Sequence, residues 1–114
     1  IDMVTAKLNI IEVCQCESIP VISCMGGVNR FYPEKLMIAD INKSHTCPLA
    51  RVMRRELKKR GIKKQLVLFS TEKPTKPQFR GEATSPGTCS FVPPVAGFIL
   101  AAHVLRTILE VPKQ

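Results

Sequence analysis

Three short runs set the main constraint on the fold: IPVISC (19–24), KLMIADI (35–41) and QLVLFST (65–71). They are rich in apolar and β-branched residues and are bounded by Pro, Gly or polar positions, so each reads as a strand. The segments around them have helical spacing instead. In MVTAKLNIIEVCQC (3–16), Val4, Leu8, Ile11 and Cys14 recur every three or four residues, and Asp2 stands where an N-cap would stand. Pro48 suits the first turn of a second helix, Leu49, Val52, Met53 and Leu57 form its apolar stripe, and Gly61 is a natural stop. A last helix runs from about Pro93-Pro94 to about Glu110 within FVPPVAGFILAAHVLRTILEV (91–111). His103, Arg106 and the two prolines interrupt this stretch, which favours a buried helix over a membrane span. The order helix, strand, strand, helix, strand, helix predicts an α/β layer with a mixed sheet and flanking helices.

At 114 residues the chain holds one small domain with a modest core. Its 45% hydrophobic and 23% charged residues exclude a disordered polymer. Residues 72–90 hold three prolines and two glycines and read as a long irregular loop, of the kind that is functional or mobile. No internal repeat is visible.

The charge is unevenly placed. HTCPLARVMRRELKKRGIKK (45–64) carries eight Lys or Arg and one Glu, so it supplies +7 of the formal +8. Arg51, Arg54, Arg55, Lys58, Lys59, Arg60, Lys63 and Lys64 fit a nucleic-acid surface or the solvated face of an ordinary helix, and composition leaves both open. The stretch is poor in aromatic residues, which favours phosphate contact over base stacking.

Five cysteines, at 14, 16, 24, 47 and 89, form no CxxC pair, so neither a disulfide framework nor a zinc site is indicated. Free thiols and an opening IDMVTAK without a signal peptide point to the cytoplasm. Gly26-Gly27 follows a strand and reads as a tight turn or as the lining of a phosphate site. Asn29 and Arg30 beside it address an anion or lie in a solvated turn. Asp2 is a helix cap or a carboxylate for Mg²⁺. His103 reads as a core histidine, and His45 lies close in sequence to Cys47. Cys89, in the long loop, is the candidate reactive thiol, a role that needs a lowered pKa.

Three blocks in order, ISCMGGVNR, IADINKSHTCPLARVMRRELKKRGIKK and FVPPVAGFILAAHVL, resemble the ThiF/MoeB/HesA superfamily of ubiquitin-activating-like adenylating enzymes. Within it they look most like the branch acting on threonylcarbamoyladenosine in tRNA. The opening IDMVTAK is similar to the end of the family's Asp-x-x-Asp signature, with Asp2 on its second Asp and Lys7 on a following Lys.

The resemblance implies a Rossmann-like adenylating domain of which residues 1–114 are the C-terminal half, without the Gly-rich nucleotide loop. It implies ATP and Mg²⁺ as cofactors with Asp2 helping to hold Mg-ATP, tRNA as partner and a homodimer for the full-length protein; Gly26, Gly27 and Asn29, read from the residues, are the further nucleotide-binding candidates. The fragment alone is then expected to be inactive. Cys47 stands where relatives often carry Asp before Pro, and Cys14 matches a position that is often Cys. Two alternatives remain open: an activating enzyme for a ubiquitin-like or sulfur-carrier protein, and a non-catalytic basic binding module.

Overall fold

The computed structural model describes residues 3–26, 30–73 and 90–112. The main elements in chain order are α1 (Val4–Cys16), β1 (Ile22–Cys24), β2 (Leu36–Asp40), α2 (Pro48–Lys59), β3 (Leu66–Ser70) and α3 (Val92–Ile108). Single 3-10 turns, Pro33–Lys35 and Ile41–Lys43, bracket β2. The described strands form one mixed sheet in the order β1-β3-β2, with β1 parallel and β2 antiparallel to β3. The expected α/β layer with a mixed sheet and flanking helices is therefore what the chain forms.

β3 holds the centre. Val67, Leu68, Phe69 and Ser70 are all at most 1% exposed. A continuous apolar run of this kind belongs to a strand covered on both faces. Val67 and Phe69 share one face and meet Leu8 and Ile11 of α1 and Ala50, Met53 and Leu57 of α2 in one cluster. Burying Met53 and Leu57 contributes about 1.5–3 kcal/mol each. The stripe predicted for α2 is thus its core face, although Leu49 and Val52 are only half-buried.

All three helices end alike. Gly61 takes φ +75° after α2, its N–H donates to the Lys58 carbonyl, and Ile62 N–H donates to the Leu57 carbonyl. This is the Schellman stop, and it suits glycine because no Cβ resists the left-handed turn. Ser18 (φ 57°) closes α1 and Glu110 (φ 54°) closes α3 with the same paired hydrogen bonds.

Some expectations need correction. The first strand is only Ile22–Cys24, and Ile19 and Pro20 are exposed. The α1 stop turns the chain at Ser18, so pairing with β3 begins only at Ile22. The N-cap of α1 is Met3, without a side-chain cap hydrogen bond, and Asp2 lies outside the described residues. Most of the predicted 72–90 loop also lies outside them. α3 is not a buried helix in this chain, since only Val92 and Ala96 are buried. Phe98, Leu105 and Ile108 are 75, 57 and 71% exposed, and among the described elements α3 packs mainly beside β1 and the Pro33–Lys35 turn. His103 is likewise half-buried. Among the described residues, no helix is long and apolar enough to cross a membrane.

Candidate functional site

β1 and β3 run parallel, so their carboxyl ends share one edge of the sheet, the edge where open α/β sheets bind ligands. Lys7 reaches it from α1, donating Nζ to the Cys24 carbonyl at 2.8 Å. Gly26 follows, packed against the start of α2. A Cβ there would meet Leu49 Cβ at 3.6 Å and Cys47 Sγ at 3.9 Å, which are ordinary contacts. Gly27 and Asn29 lie outside the described residues. Arg30 does not lie in a solvated turn: it is 1% exposed and donates Nη2 to the Thr46 carbonyl at 2.7 Å. Glu72, just past β3, accepts from the Phe31 N–H at 2.9 and 3.0 Å and from the Tyr32 N–H at 2.9 Å. Its carboxylate ties the end of β3 to the turn that follows β1.

Arg30 also anchors an unusual residue. Thr46 has φ +56°. Ser18 and Glu110 share that sign as helix stops, but Thr46 precedes a helix and is β-branched, so it is strained by on the order of 1–3 kcal/mol. Two contacts hold it there: the Arg30 guanidinium on its carbonyl, and His45 Nδ1 at 2.6 Å from its hydroxyl. The His45 ring meets Phe69 edge to face, with centroids 5.3 Å apart. Cys47 then caps α2, its Sγ accepting from the Ala50 N–H at 3.4 Å. This thiol is a structural acceptor, and a weak one. Between this loop and α2 opens a cleft of about 540 Å³, lined by His45, Thr46, Arg51, Arg54 and Arg55 among others.

The basic stretch divides into two groups. Arg54 Nη1 donates to the Ser44 carbonyl and hydroxyl at 3.0 and 2.9 Å. Arg60 Nη1 reaches Glu12 at 2.7 Å and Asn9 at 3.0 Å, clasping α1 to α2. These two hold the fold together. Arg55 and Lys59 share Glu56 at 3.4 and 3.5 Å across an exposed surface, a pairing that contributes little. Arg51, Lys58, Lys63 and Lys64 are exposed and make no side-chain hydrogen bond or ion pair among the described residues. Sequence reasoning missed both the internal role of Arg54 and Arg60 and the placement of His45. The Arg60 partners lie 48 and 51 residues away, beyond any local pattern.

No family model matches the chain. It is 37% identical to the tRNA threonylcarbamoyladenosine dehydratase of Bacillus subtilis, over 96% of this chain and 48% of that protein. The solved structure of TcdA (CsdL) superposes with a TM-score of 0.86 at 28% identity, over 96% of this chain and 48% of that one. The chain is a homologue of these dehydratases. The E. coli tRNA N6-threonylcarbamoyladenosine dehydratase TcdA, solved in complex with AMP, aligns at 25% identity with a TM-score of 0.85, over 96% of this chain and 46% of that one. The same enzyme has also been solved in complex with ATP. The chain therefore spans about half the length of the dehydratases it matches, and the superfamily resemblance read from its three blocks is upheld.

Burial pushes the Cys24 thiol up, and the nearby Lys7 ammonium offsets this only in part. As pH rises, the unfolded chain loses the thiol proton first. This contribution to stability is therefore complete below the ordinary thiol range and is lost as pH climbs through the folded value. Urea unfolding between about pH 7 and 10 is expected to show an alkaline loss of stability that is smaller in Cys24→Ser. A thiol reagent at neutral pH should modify exposed Cys16 before Cys24 or buried Cys47. Cys89, the loop-thiol candidate, lies outside the described residues. No group of three or more His, Cys, Asp or Glu side chains among the described residues could hold a metal ion.

Proposed function

We propose that this chain is the C-terminal half of an ATP-dependent enzyme that adenylates the carboxylate of threonylcarbamoyladenosine in tRNA and drives its cyclising dehydration. The observation that carries this reading is 37% identity to a dehydratase along 96% of the chain. The relatives named above are tRNA dehydratases, which favours this reading over activation of a ubiquitin-like or sulfur-carrier protein.

ATP supplies the adenylyl group that converts a poor leaving oxygen into a good one, so that intramolecular attack on the activated carbonyl closes the ring and releases AMP. This chain contributes one wall of the reaction site. Lys7 and Gly26 stand at the carboxyl end of β1, and Arg30 fixes the adjoining 44–47 loop. Asp2 as a ligand of Mg-ATP, Gly27 and Asn29 near the nucleotide, and Cys89 as a reactive thiol enter through the family resemblance and the sequence alone.

The tRNA contacts are assigned to the basic stretch. Arg51, Arg55, Lys58, Lys59, Lys63 and Lys64 meet phosphates, while Arg54 and Arg60 shape the surface from within. The full-length protein is a cytoplasmic homodimer, a reading supported by the large apolar side chains that α3 leaves uncovered.

The chain alone is expected to bind tRNA in a salt-dependent manner and to release no pyrophosphate from ATP. Pyrophosphate release above background, from this chain with ATP and modified tRNA, would show that the site is not divided between two halves.

A further inference from the structure

We propose that the cleft between the 44–47 loop and α2 seats a phosphate of the bound RNA strand, with His45, Arg51 and Arg55 as its donors. The proposal rests on the tRNA reading above and names a site within it. The cleft has a volume of about 540 Å³, and its lining carries three arginines and a histidine with no carboxylate. Arg54 is committed to Ser44, so it supplies charge from the wall. Arg51 is exposed, and the exposed Arg55 reaches only to Glu56 at 3.4 Å, a pairing that a phosphate can displace.

His45 completes the set. Its Nδ1 lies 2.6 Å from the Thr46 hydroxyl. When that hydroxyl donates to Nδ1, the neutral ring carries its proton on Nε2, a donor available to an anion. The ring is steadied by Phe69 at 5.3 Å, and the strained Thr46 by Arg30, so the imidazole donor is positioned before any ligand arrives. No aromatic ring other than the imidazole lines the cleft, so a phosphate fits it better than a stacked base.

A phosphodiester of RNA and a phosphate of a free nucleotide share this chemistry. RNA is favoured because Arg51, Arg55 and Lys58, spaced four and three apart, continue as a row along one face of α2. The row covers on the order of 10 Å of helix, a track for successive phosphates.

The chain contains two histidines, so long-range ¹H–¹⁵N spectra of the imidazoles resolve each one. The free protein should show His45 protonated on Nε2. Added tRNA should shift His45 and leave His103 in place, while ATP at the same phosphate concentration should leave both in place. His45→Gln, read by anisotropy of labelled tRNA, should weaken binding about tenfold. Saturating tRNA that leaves His45 unmoved would overturn the proposal while the tRNA reading stands. A His45 shift with ATP but not with tRNA would also overturn it. If labelled tRNA does not bind at all, the tRNA reading itself fails and the proposal with it.

Discussion

Reversing three exposed charges together, Arg51→Glu, Arg55→Glu and Lys58→Glu, is expected to weaken tRNA binding about a hundredfold or more at low salt. The three lie on one face of α2 and none is used to hold the fold, so the far-ultraviolet spectrum and melting temperature should change little. The dependence of affinity on salt should also flatten, by about one unit of slope for each phosphate that is no longer bound. Arg54→Glu and Arg60→Glu would be poor probes of the same surface. The first places a carboxylate against the Ser44 carbonyl, and the second opposes Glu12, so both would report on stability as much as on RNA. Unchanged affinity in a folded triple variant would return the basic helix to an ordinary solvated face.

Phe69→Ala should cost about 3–5 kcal/mol, a large share of the stability of so small a domain. Phe69 is 1% exposed on the central strand, where α1 and α2 converge. Thermal unfolding followed by circular dichroism would show it as a large drop in melting temperature. Phe69→Leu keeps most of the volume and is expected to cost less. Because His45 rests edge-on against this ring, either variant should also disturb the 44–47 loop. A melting temperature for Phe69→Ala close to that of the parent chain would contradict the core assignment.

Much of the architecture was legible in the residues, because it rests on local chemistry. The spacing of Met53 and Leu57 marked the buried face of α2, and Gly61 marked its end through the one backbone conformation that suits glycine. QLVLFST reads as a strand from its apolar run, and its central place comes only with the β1-β3-β2 sheet order. What failed depended on distant partners. The first run is shortened at Ile19 and Pro20 because pairing with β3 begins only at Ile22. FVPPVAGFILAAHVL is apolar on all sides, and hydropathy alone cannot say whether this chain or another surface covers it. The solvated-turn reading of Arg30 fails because the side chain is buried against Thr46, which lies 16 residues ahead.

The candidate site was legible mainly through resemblance. Gly26 and the basic stretch were readable as features, but their adjacency comes from the β1-to-α2 packing that sets Gly26 against Leu49. His45 drew attention only through its nearness to Cys47 in sequence. Its place beside Arg51 and Arg55 depends on a left-handed threonine that no pattern announces.

The function proposed for the full-length protein is ATP-driven removal of water from threonylcarbamoyladenosine in tRNA. The most direct measurement is mass spectrometry of the nucleosides from tRNA incubated with the full-length protein, with and without ATP. The expected result is an ATP-dependent loss of one water from that nucleoside, with AMP and pyrophosphate formed in step. A nucleoside of unchanged mass, from a protein shown to bind both ATP and the modified tRNA, would contradict it.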